Sequence, residues 1–390
     1  MDTIYNRVST ADKKPTGKGD KYMSSIPDRE DIIKTLESLV QIAAVTGFED
    51  DLRESIKKKV APYADTREDQ MGNFTAVRRG TGDGLKIMLC AHMDEIGFVV
   101  RSIDPRGFLY LYPLGGLPAN IGPGHWVNVH TDRGPIPGTI GIHAPHLPVS
   151  GNPPLFVDIG AERRHQAMAM GIKIGDPVTV QYGFSQLNGE RLIGRCMDNR
   201  IGCTVLVTVL KMLSQTHHKS SIFAVFSSTE EHGMHPGNPP AQMHGARGAY
   251  LAAQNIKPHF TIVLDSIAAS DIPGLPESEK LIRLGQGVAL RLVDDMAIMR
   301  PRVKRFARAV AERNNIRIQE GISRSYTDAS MVQLLDTAVC TLGIPLRYNH
   351  SPGQVVSISD IESAIKMVTG IINMLDTQPP HWLQIHNTGN

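Results

Sequence analysis

Between Asp31 and Val40 the apolar residues Ile32, Ile33, Leu36, Leu39 and Val40 recur at the three-and-four spacing of one helix face. The spacing predicts a helix there and a second over Asp51 to Val60. Three later stretches, LKIMLCA from Leu85, SIFAVFSS from Ser221 and FTIVLDS from Phe260, are apolar runs of strand length. Helix patterns lie between or after them: IGCTVLVTVLKML, VKRFARAVAERN and SDIESAIKMVTGIINML. Strands alternating with helices predict an α/β core around a largely parallel sheet.

The stretch from about Val100 to Glu190 has another rhythm. Short runs such as GFLYLYP, HWVNVHT and DPVTVQYG are punctuated by glycine and proline, with one helix-like segment, AERRHQAMAMG. This predicts a small β domain, barrel-like, inserted into the α/β one. The organisation read from the chain is a polar, flexible N-terminal extension (1–26), an α/β domain in two pieces (27–99 and 190–376), the inserted β domain (100–189) and a C-terminal tail (377–390). No internal repeat is visible.

Composition narrows the function classes. The 390 residues are 41% hydrophobic and 21% charged, ordinary for a globular chain. Forty-one Lys and Arg against 39 Asp and Glu leave a net charge of +2, which provides no field for nucleic acid or an anionic membrane. A small or neutral partner is expected. Cys90, Cys196, Cys203 and Cys340 are scattered, with no CxxC pair and no secretory signal ahead of them, so they read as buried thiols in a reducing compartment, the cytoplasm. The TGKGDK of the N-terminal extension lacks the spacing and preceding strand of a phosphate loop.

The candidate chemistry sits where the apolar runs end. IMLCAHMD ends in His92 and Asp94, FAVFSSTEE in Glu230 and Glu231, and TIVLD in Asp265. Sites in open α/β sheets lie at the carboxyl ends of strands, so these residues are expected to converge. Asp198, before an apolar helix in GRCMDNRIGC, and His350, after the strand-like run of GIPLRYNHSP, fit the same edge. Each has a blander reading. Asp198 and Asp265 could cap helices, the histidines could be satisfied loop or core residues, and Asp94 and Glu95 could be solvated. Glu230 and Glu231 resist this, because adjacent acids after an apolar strand repel unless a cation is near. Oxygen and imidazole donors without cysteine suit Zn²⁺, Co²⁺ or Mn²⁺, and a bridging carboxylate allows two ions.

In order along the chain, AHMDEIGF, DIGA (Asp158 to Ala161), GIKIGDPV, CMDNRIG, TEEHG, VLDS, YTDAS and IPLRYNHSP resemble the motifs of the tetrahedral aminopeptidases, metallopeptidase family 42, which include glutamyl and deblocking aminopeptidases. The resemblance runs from about Asp31 to Leu375. It implies an α/β dinuclear metallopeptidase domain whose inserted β domain serves assembly. It also implies that His92 and Asp265 hold one metal, that Glu231 and His350 hold the other, and that Asp198 bridges them. Glu230 would be the general base, and Asp94 would hydrogen-bond to the ring of His92 and fix its tautomer. The cofactors expected are two divalent ions per subunit, zinc or cobalt.

Three departures stand out. Some members carry two aspartates before the arginine where this chain has Asp198, Asn199 and Arg200. The segment MHPGNPPAQMH between Gly233 and Gly245 is longer than expected; its His235 and His244 could be ligands, but the favoured reading is a polar, proline-rich loop that reshapes the pocket mouth. Ser325 and Tyr326 stand where glycines are usual. The reading is a cytoplasmic metal-dependent aminopeptidase acting on short peptides, a homo-oligomer with a dodecamer as the implied form, with no nucleic-acid or membrane partner. Glu230 would take a proton from the attacking water and return it to the leaving amine. The rivals are a metal-dependent deacylase or amidohydrolase on the same scaffold, and a non-catalytic assembly protein.

Overall fold

The computed structural model describes residues 26–118, 122–144, 146, 154–233 and 245–383. The extension through Ser25, with its TGKGDK, and the loop of His235 and His244 lie outside the described residues.

Elements are numbered in chain order. Two helices, α1 (Arg29–Val40) and α2 (Asp50–Val60), bury the predicted faces, including Ile32, Leu36, Leu39, Leu52, Ile56 and Val60. The edge strand β1 (Asp65–Glu68) and its buried neighbour β2 (Phe74–Arg78) lead into β3 (Lys86–His92), which is buried from Ile87 to His92. Strands β4 (Gly97–Ile103), β5 (Leu109–Leu114), β6 (Trp126–Thr131), β7 (Gly134–Ile140), β8 (Phe156–Asp158) and β9 (Pro177–Val180), with the short helix α3 (Arg164–Ala169), form the insertion. These six strands close into a barrel in the order β4-β5-β8-β7-β6-β9. Alternate side chains such as Phe98, Val100, Leu109, Val127, Val129 and Val178 fill its interior.

The chain returns through β10 (Ser185–Gln186) and β11 (Arg191–Gly194) to α4 (Met197–Leu213), β12 (Ser221–Ser227), α5 (Arg247–Ile256) and β13 (Phe260–Ala268). It ends with β14 (Val288–Val293), α6 (Pro301–Arg313), β15 (Ile318–Ile322), the single turn α7 (Ala329–Val332), β16 (Ala338–Arg347), β17 (Gln354–Ser357) and α8 (Ile358–Thr377). The sheet has 11 strands, ordered β1-β2-β12-β3-β13-β16-β17-β11-β10, with β14 and β15 off that path. Its four central strands, β12, β3, β13 and β16, run parallel, while β2 and β17 flank them antiparallel and β11 pairs antiparallel with β17. The sheet is therefore mixed, parallel where it is most buried. One large apolar core joins it to α1, α2, α4, α6 and α8. The final residues described pack too: Trp382 meets the edge of Phe306 and lies under Arg302.

The parallel centre contains a fork. Strand β3 follows β12 as far as the His92–Ser227 pair, and β13 follows β16 as far as Ala268–Leu346. The β3–β13 ladder, however, stops at Cys90–Val263, two residues short of both His92 and Asp265. The strands part there and open a crevice at their carboxyl ends, the place where such sheets bind ligands.

Candidate metal centre

His92 closes β3, Asp265 stands in β13 past the fork, and Glu230 and Glu231 lie just beyond β12. Asp198 begins α4, and His350 follows β16. The fold brings all six together, with Asp94 beneath them. His92 Nε2 is 3.3 Å from Asp198 Oδ1 and 3.6 Å from Asp265 Oδ1. His350 Nε2 is 3.8 Å from Asp198 Oδ2 and 3.5 Å from Glu231 Oε2. Donor atoms of His92, Asp198 and Asp265 lie within 4.8 Å of one another, as do those of Asp198, Glu231 and His350, and Asp198 belongs to both groups. Glu230 groups with His92 and Glu231 by the same measure.

The hydrogen bonds around the rings fix what faces inward. His92 Nδ1 contacts the main-chain carbonyl of Asp94 at 3.1 Å, and His350 Nδ1 that of Gly116 at 2.8 Å. With a carbonyl as partner each Nδ1 carries a proton, so in the neutral ring each Nε2 turns a lone pair toward carboxylate oxygens. Asp198 Oδ1 is buried with no hydrogen-bond partner. Lone pairs from imidazole and carboxylates converging without a proton between them form a cation site, and a donor set without sulfur suits Zn²⁺, Co²⁺ or Mn²⁺. A proton and a cation compete for that space, and the ionisation tendencies record how strongly the carboxylates attract positive charge. Burial alone would lower the pKa of His92, but Glu230, Asp198, Asp265 and Asp94 override it and raise it well above the ordinary value. Burial pushes Glu231 up to about 7 and Glu230 well above the carboxylate range, with neighbouring carboxylates adding to both. The cluster carries more negative charge than its two imidazoles offset, and a divalent cation is the fitting remedy.

Asp94 works differently from the ring-orienting acid expected. Its carboxylate is 3.6 Å from His92 Nδ1, further than its own carbonyl. It accepts instead the N–H groups of Glu230 and Glu231, each at 3.0 Å, and the Thr46 hydroxyl at 2.6 Å. Asp94 thus holds the backbone from which the glutamate pair projects. Glu95 is not solvated: it is buried, paired with Arg195 and Arg200, and accepts the N–H of Ala44 at 2.8 Å. Nor does Asp198 cap the helix. That role falls to Asn199, whose Oδ1 accepts the Gly202 N–H at 3.0 Å, while Asp198 Oδ2 takes the Ser266 hydroxyl at 2.8 Å. Asp265 caps nothing either, because β13 continues three residues past it.

Four non-glycine residues with left-handed backbone border the cluster: Cys196, Thr229, Tyr348 and His350 itself. For a β-branched residue such as Thr229 that conformation is costly, and it aims the two glutamates after it. The cleft above the cluster has room for about 470 Å³ and is walled by Arg291, Ser323, Arg324, Ser325, Tyr326 and Asn349. Ser266 and Asn349, which hydrogen-bond to each other at 2.7 Å, were invisible to sequence reasoning. Their only signal is adjacency to Asp265 and His350.

Comparison with known proteins places this geometry. Residues 72–367 match the model of the family described as M42 glutamyl aminopeptidase. A lysyl aminopeptidase of Pyrococcus furiosus is 28% identical over 357 residues, 87% of this chain and 96% of that protein. Among solved structures, an aminopeptidase from the archaeon Desulfurococcus kamchatkensis superposes with a TM-score of 0.83 at 32% identity, covering 91% of this chain and 97% of that one. The TET1 peptidase of Pyrococcus horikoshii, which can assemble into a tetrahedron or a large octahedral shell, gives 0.76 at 29% identity, covering 87% and 99%.

Proposed function

We propose that this chain, which belongs to the M42 glutamyl aminopeptidase family, removes N-terminal residues from short peptides with the help of two divalent cations per subunit. The observation that carries this reading is the sharing of Asp198 between two separate donor groups. His92 and Asp265 would hold one ion, Glu231 and His350 the other, with Asp198 offered to both. Zinc or cobalt suits these donors. When bound, the ions polarise the scissile carbonyl and acidify a water.

The remaining work belongs to side chains. Glu230 groups with His92 and Glu231 but is left over once each ion has its three donors. Burial and its neighbours raise its proton affinity. It takes the proton of the attacking water and hands it to the leaving amine. Asp94, through the Glu230 N–H, keeps that base in register. Arg291 and Arg324 line the cleft where substrate enters. Because the family description and the Pyrococcus relative name different first residues, the preferred side chain is not carried over from either.

The subunit works as a homo-oligomer, with a dodecamer as the expected form. Its barrel exposes Trp126, Ile142, Met168 and Ile174, apolar surface of the kind that subunits cover. A cytoplasmic site of action accords with four buried cysteines that are all free. No helix among the described residues is long and apolar enough to cross a membrane.

A panel of free and N-acetylated peptides tests the reaction. Exhaustive chelation should abolish hydrolysis of the free peptides, and Zn²⁺ or Co²⁺ should restore it. Preference for the acetylated peptides would favour a deacylase, and full metal loading with no hydrolysis of any amide would favour a non-catalytic role.

A further inference from the structure

The segment after β15 forms a wall of the cleft, and one of its side chains reaches the backbone of the glutamate pair. The Tyr326 hydroxyl donates to the main-chain carbonyl of Glu230 at 2.8 Å. On the other side of the same residue, the Glu230 N–H donates to Asp94 Oδ1 at 3.0 Å. The two peptide groups flanking the Glu230 Cα are therefore gripped from opposite directions. Among the described residues, only a long contact from the Ala246 N–H, at 3.4 Å, shares the carbonyl.

Tyr326 is itself held. The buried guanidinium of Arg291 donates to the Tyr326 carbonyl at 3.3 Å, to Ser325 Oγ at 2.7 Å and to the Ser266 carbonyl at 3.1 Å, while Asp294 balances its charge. Ser266 follows Asp265, so one arginine ties the strand of a proposed ligand to the wall that carries Tyr326. Space has been left for the contact. A Cβ on Gly245 would come within 2.7 Å of the Tyr326 hydroxyl and 2.8 Å of the Glu230 carbonyl.

We propose that Tyr326 is a positioning residue for the reaction: its hydroxyl, locked to the substrate wall through Arg291, sets the placement of Glu230 by fixing the Glu230 carbonyl. This rests on the reading of Glu230 as the general base. A base set a fraction of an ångström out of line loses rate without losing substrate affinity. The consequence is a split between turnover and binding.

The test is a double-mutant cycle on the metal-loaded enzyme, with metal content measured for each variant and an aminoacyl p-nitroanilide as substrate. Tyr326→Phe keeps the ring and removes only the hydroxyl. It should lower kcat by about 5- to 50-fold, the size expected for one lost hydrogen bond to a buried carbonyl, with KM within about twofold and metal content unchanged. In a Glu230→Gln background the same change should have almost no further effect, because the base it positions is gone. Gly245→Ala, which keeps the tyrosine and pushes its hydroxyl off the carbonyl, should reproduce the loss of kcat and serves as the second variant. Unchanged kcat in Tyr326→Phe overturns the proposal, as does an equal fall in both backgrounds. Wild-type turnover by Glu230→Gln alone would show that the assignment of the base has failed, a result read without Tyr326, and the proposal would fall with it.

Discussion

Glu230 and Glu231 are neighbours in the chain, share one backbone anchor in Asp94 and yet are assigned different work. Their amides separate the two. Glu230→Gln keeps all five proposed ligands but cannot accept a proton, so kcat should fall by about 10²- to 10⁴-fold with metal content near wild type. Glu231→Gln removes a charged donor facing His350 and should lose metal as well as activity. Parallel kinetics and metal analysis check both, and the opposite pattern would mean the roles are reversed. Away from the cleft, Asp360 accepts the N–H groups of Gly285 and Gly287 at 2.7 and 2.8 Å, and burial raises its pKa from 3.8 to about 6. A carboxyl raised by folding contributes stability fully present below its unfolded pKa and lost as pH rises through the folded value. The wild type should therefore surrender on the order of 3 kcal/mol from this group between pH 4 and 7. In Asp360→Asn that loss is absent, so the variant's deficit should be largest at low pH and shrink toward neutrality, as denaturation curves at several pH values would record. At this scale the sequence made His92, Asp198, Glu230, Glu231, Asp265 and His350 conspicuous, because ionisable groups at the ends of apolar runs need a reason to be there. It could not reveal Thr46, Ser266 or Asn349, since short polar side chains have no distinguishing pattern until the chain is folded. Nor could it tell that the ring of His92 would find the carbonyl of Asp94 rather than its carboxylate.

Elements deliver those residues. The fork between β3 and β13 sets His92 and Asp265 across a crevice, and α4 brings Asp198 to its mouth. The start of α4 depends on Asn199, which caps Gly202 and whose Nδ2 donates to the Leu264 carbonyl of β13 at 2.9 Å. A Cβ on Gly202 would stand 2.4 Å from Asn199 Oδ1 and 3.0 Å from Ala91 Cβ. Gly202→Ala should accordingly destabilise the fold by about 1 to 3 kcal/mol and lower metal content by shifting Asp198. Denaturant unfolding and metal analysis would check the two effects together. The elements legible beforehand were the long ones with strong periodicity, α1, α2, α4, α6 and α8, and the apolar strands β3, β12 and β13. What escaped was mostly short or interrupted. Strand β1 is DTRE with every residue exposed, and β10 has two residues, so neither has an apolar alternation to read. The ten-residue β16 was seen only at its end, because Gly343 and Pro345 interrupt its pattern. The insertion was read as starting near Val100, whereas the barrel strand β4 begins at Gly97, since a strand entering a barrel directly from a turn gives no composition break.

For the whole molecule, a cluster of buried carboxylates at the sheet edge makes folding and metal binding one equilibrium. A ligand bound only by the native state stabilises it by about 4 kcal/mol at a thousand times its Kd, so removing the ions should lower the Tm as well as the activity. Calorimetry of metal-free and reloaded protein would register it, and an unchanged Tm would mean the carboxylates are balanced some other way. The barrel bears on the centre too, because Gly116, just beyond β5, supplies the carbonyl that orients His350. Assembly through the barrel is the remaining large-scale expectation, and light scattering at micromolar concentration should find a homo-oligomer; a monomer with full activity would refute it. The central claim is that Asp198 joins two cation sites in one catalytic centre, and titration of metal-free protein with Zn²⁺ or Co²⁺, following bound metal and peptide hydrolysis together, tests it most directly. The account predicts saturation at two ions per chain, with activity appearing as the ions fill. Full hydrolysis by verified metal-free protein, or full activity with a single ion per chain and no second ion taken up, would contradict it.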